Sequence, residues 1–213
     1  LLNDGEWAWL SFPRMNRDGD DAVPVNTVLL NNIEPDGYLD ESELENLPPE
    51  SWVIEDNIYD GTQWQLTGDL INIQSTLGYK LKLLYGTTPE NKWVHLLGNV
   101  LDPAEDVNIY ENYDNWVGYW LYESQSPFDA IPENVLDELT IIKAQTWCCV
   151  KDWDYPDGYA VPYWICAVHE DDVSMDYGDM VILETNSDMS FQWQSTGNPS
   201  SIIDKDATEY YQF

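Results

Sequence analysis

Residues 59–93 read YDGTQWQLTGDLINIQSTLGYKLKLLYGTTPENKW, and residues 159–193 read YAVPYWICAVHEDDVSMDYGDMVILETNSDMSFQW. Tyr59, Trp64, Gly78, Leu83 and Trp93 recur as Tyr159, Trp164, Gly178, Leu183 and Trp193, each 100 positions on and without a gap. Ile73 and Val173, and Leu81 and Val181, keep the same register. Tryptophan is rare, so a register that repeats it together with a glycine points to an internal duplication. Tyr79-Lys80-Leu81-Lys82-Leu83 alternates polar and apolar, the period of a half-buried strand. Met180-Val181-Ile182-Leu183 is apolar throughout and predicts a more covered strand. The expected fold is all-β, mainly antiparallel, with short helical turns. Two homologous units in a pseudo-twofold relation, sandwich- or barrel-like, are expected to share one core, because each alone is small.

Working outward, each unit opens on an aromatic strand. Trp7-Ala8-Trp9-Leu10-Ser11-Phe12-Pro13 is matched to Asn115-Trp116-Val117-Gly118-Tyr119-Trp120-Leu121 through Trp9 and Trp116, an offset of 107. Ser126 as N-cap, Pro127 at the first helical position and Asp129 three residues on predict one or two helical turns, interrupted near Pro132. Asn26 to Ile33 is the expected first-unit counterpart. Trp52-Val53-Ile54-Glu55 is set against Thr140 to Val150 through Trp52 and Trp147, an offset of 95. The drop from 107 to 95 implies a net insertion of 12 residues in the first unit. The return to 100 implies five extra residues in the second, at a hairpin tip over Asp154-Tyr155-Pro156-Asp157-Gly158. The expected division is a first β unit over 1–98, a connector over 99–114, a second β unit over 115–197 and a tail over 198–213 leading to a following domain. The aromatic end of that tail, Tyr210, Tyr211 and Phe213, either packs on this domain or starts a strand of the next.

Composition narrows the partners. The 213 residues carry 40 acidic against 8 basic side chains, a net charge of −32, with 11 Trp and 14 Tyr to build a core. That balance argues against nucleic acid, whose phosphates need a basic surface, and against anionic membranes. The acidity suits a surface adapted to salt, divalent cations or a cationic ligand. No apolar run approaches the ~18 residues that span a bilayer, so no membrane insertion is expected. No signal peptide is visible and Leu1 is not an initiating Met, so the chain is expected to be an excerpt of something longer. The three cysteines fall on apolar positions of the duplication, Cys148 and Cys149 on Val53 and Ile54 and Cys166 on Leu66, which reads as small buried hydrophobes. One bridge from Cys166 to Cys148 or Cys149 is the alternative.

Chemistry is sparse. Glycine-rich phosphate loops and nucleophile elbows are missing, and His95 and His169 have no metal-ligand spacing. No catalytic residue is assigned, and the chain is not expected to be an enzyme. One stretch fits a calcium loop of the EF-hand kind. Asn32, Glu34 and Asp36 take positions 1, 3 and 5, with Gly37 at the sharp turn, the Tyr38 carbonyl at 7, Asp40 at 9 and Glu43 as the bidentate acid at 12. Calcium takes six to eight oxygens, and alternate positions supply them. Pro35-Asp36-Gly37 is also an ordinary surface turn. Repeated tryptophans read as core, whereas Trp7, Trp120 and above all Trp153 are unrepeated. Trp153, with Asp152, Asp154 and Asp157 around it, is the candidate for stacking on a glycan ring; the three acids are also candidate calcium ligands.

Trp7 to Pro13 with Gly78-Tyr79-Lys80-Leu81-Lys82, and Asn115 to Leu121 with Gly178-Asp179-Met180-Val181-Ile182, resemble duplicated β modules of large secreted and cell-surface proteins of Bacteroidota. Such proteins often carry a C-terminal sorting signal for the type IX secretion system. The resemblance spans about residues 6–195, departs from the pattern over Asp36 to Glu50, and brings no catalytic residues with it. It implies an extracellular or cell-surface, non-catalytic structural or interaction module. Its partners would be other domains of the same polypeptide or cell-surface proteins. A carbohydrate-binding module is the alternative, with glycan as ligand.

Overall fold

The computed structural model describes residues 7–15, 22–24, 33–34, 52–55, 57–59, 64–66, 72–83, 93–96, 98–152, 162–169, 172–196 and 209–211. Over these residues the protein is mainly antiparallel β with two four-residue helices. No helix among the described residues is long and apolar enough to cross a membrane.

Two sheets organise the rest. In the smaller, Gly78–Leu83 lies between Trp7–Ser11 and Trp52–Glu55. In the larger, Met180–Thr185 lies between Asn115–Gly118 and Leu139–Lys143, and Cys148–Asp152 and Tyr163–Cys166 follow in that order. The apolar run that begins at Met180 is covered: Met180, Val181, Ile182 and Leu183 are all buried.

The pairing corrects two sequence alignments. Opposite the long strands, Trp7 faces Lys82 where Trp116 faces Ile182, an offset of 109 where matching Trp9 to Trp116 gives 107. Trp52 faces Leu83 where Ile142 faces Leu183, an offset of 90 instead of 95. Matching the indoles misled in both places. Trp147 lies in the turn after Leu139–Lys143 and is buried there, its Nε1 donating to the Ser174 carbonyl at 2.9 Å. The β-rich Ile141-Ile142 run takes the central position that the alignment gave to residues beyond Trp147.

The helical turns form where their caps lie. Ser126 Oγ accepts from the Phe128 N–H at 3.3 Å and Pro127 opens the helix Pro127–Ala130; the second turn, Glu133–Leu136, starts after Pro132. Of the proposed counterpart Asn26 to Ile33, only Ile33 is described, and it lies in a strand, Ile33–Glu34, paired with Trp93–Val94. Val107–Ile109, within the stretch expected to connect the units, pairs with Met189–Phe191 and buries Val107 and Ile109. Glu209–Tyr211 pairs with Val94–Leu96, so this part of the aromatic end packs within the chain.

The main described core packs on the buried face of the five-stranded sheet. Trp193 is its hub, with Phe191, Tyr119 and Trp120 meeting its ring edge-on at centroid distances of 5.1, 5.3 and 6.2 Å. Trp193 Nε1 donates to the Gly118 carbonyl at 3.0 Å, so the buried indole keeps a polar partner. Asn115 is buried with both ends of its amide satisfied: Oδ1 accepts from Tyr110 N–H, and Nδ2 donates to the Tyr110, Tyr113 and Leu183 carbonyls.

The two sheets meet where their long strands begin. Leu10 bridges to Asp179 and Leu77 to Val117, and the Ser11 and Gly118 N–H groups donate to the Gly178 and Thr76 carbonyls at 2.7 and 3.0 Å. The repeated glycine explains how the backbones come so close. A Cβ on Gly78 would collide with the Met180 side chain. Gly178 answers a different demand, a φ of 91°, which L residues with a Cβ rarely adopt.

Candidate functional site

The hairpin Cys148–Asp152 and Tyr163–Cys166 is the most site-like surface. Along its first strand Cys149 and Lys151 turn inward and Cys148, Val150 and Asp152 turn outward, as strand alternation requires. A buried lysine needs partners, and Lys151 has them. Its Nζ donates to the Leu136 and Asp137 carbonyls at 2.9 and 2.7 Å, filling the acceptors left open at a helix C-terminus. Nζ also lies 5.7 Å from the centre of the Trp164 ring.

Cys149 and Cys166 form a disulfide, with Cα atoms 4.0 Å apart, and Cys148 is free. The reading of all three as small buried hydrophobes gives way to its alternative, one bridge from Cys166, made here to Cys149. The Ala167 N–H donates to the Cys148 carbonyl, so Cys149 and Cys166 are the next, non-hydrogen-bonded pair, where strands approach most closely. Cys148 faces the other way and cannot compete.

Four large apolar side chains among the described residues are exposed, and three stand on the outer face of this hairpin: Val150 at 44%, Tyr163 at 38% and Ile165 at 49%. Ile141, Val150 and Ile165 lie directly opposite one another across three strands. Asp152 faces Tyr163, whose hydroxyl donates to Asp152 Oδ2 at 3.4 Å. Lys143, on the same face, is ion-paired with Asp114 at 3.2 Å and Glu184 at 3.1 Å. Burial opposes its charge, and the hydrogen bonds and carboxylates of Glu184 and Asp114 outweigh that, so its pKa is raised. Nothing in Tyr163-Trp164-Ile165-Cys166 marks which face is outward, since no residue in it is charged. The sequence therefore gave no signal for this patch.

Of the residues singled out from sequence, Asp152 lies at the rim of this patch. Trp153, Asp154 and Asp157 lie outside the described residues. Trp120 is buried in the core and is not a stacking platform; burial of indoles around Trp193 overrides its lack of a repeat partner. In the candidate calcium loop, Glu34 sits in the two-residue strand paired with Trp93–Val94, and Asn32, Asp36, Tyr38, Asp40 and Glu43 lie outside the described residues. Among the described residues no group of three or more His, Cys, Asp or Glu is disposed to hold a metal.

A second polar constellation lies where the sheets meet. Lys80 Nζ stands 4.7 Å from the Trp9 ring centre and 4.2 Å from that of Trp116, one indole from each sheet. The Gln145 amide clips the Trp7–Ser11 strand, accepting from Trp9 N–H and donating to the Trp7 carbonyl, both at 2.9 Å. Arg14 is buried and donates to Tyr122 Oη at 2.9 Å; Tyr122 stacks on Tyr177 at 4.5 Å. Burial holds the Tyr177 and Tyr119 phenols well above their ordinary range, so both stay protonated. Burial also pushes the Asp179 carboxyl up to about 6; the Asp176 N–H, bonded to Asp179 Oδ2 at 2.8 Å, pulls the other way, and the Asp176 carboxylate adds to the rise.

Set against known protein families, curated proteins and solved structures, the chain has no match.

Proposed function

We propose that this chain is a non-catalytic structural or interaction module of a secreted or cell-surface protein, and that it meets its partner through the outer face of the Cys148–Cys166 hairpin. The observation that carries this reading is the cluster of Val150, Tyr163 and Ile165, exposed side by side at the edge of the five-stranded sheet. Exposed apolar side chains gathered on an edge hairpin are what a contact surface needs and what an isolated domain avoids. The Cys149–Cys166 bridge supports an oxidising compartment, hence the extracellular or cell-surface location. The architecture within this reading is two homologous units, over 1–98 and 115–197, in an approximate twofold. The shared placing of Gly78–Leu83 and Met180–Thr185 between two antiparallel neighbours supports that relation.

A photocrosslinking residue at Val150 or Ile165, in the parent protein on its native cells, tests the reading. Protein adducts are expected there and not from a control position at Glu133. Equal labelling at all three positions would remove the hairpin as a contact surface.

A carbohydrate-binding reading keeps one observation in its favour: half-exposed Tyr163 is bonded to Asp152, the residue next to Trp153 in sequence. A glycan array with wild type and Trp153→Ala decides it. A sugar signal lost on substitution favours this second reading, and no signal with either protein disposes of it. Calcium at Asn32 to Glu43 is proposed from the loop pattern alone. Its test is the melting temperature with calcium and with EDTA, for wild type and Glu43→Gln. A bound native-state ligand raises that temperature by mass action, so four identical values would dismiss the site.

A further inference from the structure

The outer face of the sheet carries a charge pattern of its own, on the same side as its exposed apolar side chains. Glu184, Ile141, Val150 and Ile165 lie in one row across four strands. Cys148 and Ala167, both small, form the next row, where the Ala167 N–H bonds to the Cys148 carbonyl. On the other side of the aliphatic row stand Asp152 and Tyr163, bonded to each other. Acids therefore flank the aliphatic side chains on two sides, Glu184 with Asp114 on one and Asp152 on the other. Of the two lysines on these strands, Lys151 turns to the inner face, where its Nζ is held by the Leu136 and Asp137 carbonyls. Lys143 lies on the outer face and is shared by Asp114 and Glu184. Among the described residues around the aliphatic row, three carboxylates thus stand against one ammonium.

We propose that this face receives a partner protein through a patch of aliphatic side chains ringed by lysine or arginine. The proposal rests on the interaction reading above and deepens it by giving the partner's chemistry. Ile141, Val150 and Ile165 supply the apolar centre, whose burial drives association. Glu184, Asp114 and Asp152 supply a charged rim, which steers the approach and selects the partner more than it tightens the complex. An arginine fits Asp152 and Tyr163 together, pairing with the carboxylate and stacking on the ring. A partner with acids in its rim would set like charges against these three, on a chain already at −32. A second copy meeting this face with its own is such a partner.

The full chain carries its own reporter. Cys148 is the one free cysteine and lies partly exposed on this face, so its alkylation by iodoacetamide reads access to the face. Three synthetic peptides serve as probes: leucines flanked by lysines, leucines flanked by glutamates, and the lysine peptide with serine for leucine. The first is expected to bind in a labelled-peptide anisotropy assay and to slow alkylation. The second should bind at least about tenfold more weakly and the third about threefold or more. Asp152→Asn with Glu184→Gln should weaken the first roughly three- to tenfold. Asp129→Asn with Glu133→Gln removes as much charge from the helical turns and should leave that affinity unchanged. Equal affinity for the acidic peptide, unslowed alkylation, or the same loss from both pairs of substitutions overturns the proposal. Self-association without peptide binding would assign the face to a second copy and overturn it as well. If crosslinks from Val150 and Ile165 persist under any of those outcomes, the basic partner alone falls and the contact surface stands. Crosslinks no stronger than those at Glu133 would remove the contact surface itself.

Discussion

Gly78–Leu83 and Met180–Thr185 each lie between two antiparallel neighbours, yet among the described residues one sheet has three strands and the other five. The cause lies in the connection after the third strand. Leu139–Lys143 is followed by residues 144–147, enough for a hairpin turn closed by the Ala144 N–H on the Trp147 carbonyl, so Cys148–Asp152 folds back beside it. In the smaller sheet one residue, Asp56, separates Trp52–Glu55 from Asn57–Tyr59. A tight hairpin needs at least two. The chain therefore runs on, and Asn57–Tyr59 pairs with Trp64–Leu66 in a ribbon of its own. Turn length, not strand propensity, sets how many strands each sheet has among the described residues.

The largest expected effect is on the staple of the added hairpin. Cys149→Ala with Cys166→Ala opens a loop of 17 residues and should cost about 3 kcal/mol of stability, measured by denaturant unfolding under oxidising conditions. Leu66 lies 100 positions before Cys166 and faces Asn57 in the ribbon, as Cys166 faces Cys149. Asn57→Cys with Leu66→Cys should therefore oxidise to a second cross-strand bridge, seen as the loss of two titratable thiols. Persistent free thiols would show that the ribbon does not correspond to the second hairpin.

Next in size is the contrast between the two glycines. Gly78→Ala pushes a methyl into Met180 and should cost roughly 2–3 kcal/mol. Gly178→Ala is asked for a φ of 91° and should cost about 1–2 kcal/mol, with no dependence on Met180. Made in a Met180→Ala background, Gly78→Ala should lose most of its penalty, because neighbours in contact are not additive. An unchanged penalty there would mean that Gly78 serves its own backbone and not the approach of the sheets.

How much of this was legible beforehand follows from where the information sits. The alternation of Tyr79 to Leu83 and the cap at Ser126-Pro127 are local signals, and the strand and helical turn they predict are present. The repeated glycine was legible as a repeat, but its two roles were not: one depends on Met180 from another sheet and the other on a dihedral angle. Aligning tryptophans failed at Trp52 and Trp147 because an indole serves a strand or a turn equally well when the core has room for it. The outward face of Tyr163 to Cys166 was illegible because every second residue on both faces is apolar or sulfur-bearing.

The junction between the sheets also has a pH signature. Asp179 titrates at about 6 in the folded chain against 3.8 for the unfolded reference, with burial as the main cause. A carboxyl raised on folding favours the fold while it is protonated. Its contribution is fully present below pH 3.8 and is lost as the pH rises through about 6, a change on the order of 2–3 kcal/mol. Acid also relieves the general repulsion of a chain with 40 carboxylates, so the comparison must be made against Asp179→Asn. The substituted chain should gain less on acidification from neutral pH to about pH 4 than the wild type does, in urea unfolding at matched salt. Parallel curves would remove Asp179 as the source.

The smallest effect tests the pair that the 100-residue register sets side by side, Lys80 in one sheet and Met180 in the other. Both reach the cluster of Trp9 and Trp116, Met180 as buried packing and Lys80 as a cation between two indole faces. A half-exposed ammonium over a ring contributes about 0.5–1 kcal/mol, more where water is excluded. Lys80→Gln should therefore cost about 1 kcal/mol, and Lys80→Arg should cost little because guanidinium also stacks on indole. A single substitution cannot separate the ring contact from the lysine stem packed along the strand. The double-mutant cycle of Lys80→Gln with Trp9→Leu can, since it isolates what the two side chains share. A coupling of roughly 0.5–1 kcal/mol that survives high salt is expected, because screening weakens exposed ion pairs far more than a cation held between rings. Zero coupling would remove the ring contact of Lys80 as a tie between the sheets and leave the backbone bonds, the Gln145 clip and Met180 packing to join them.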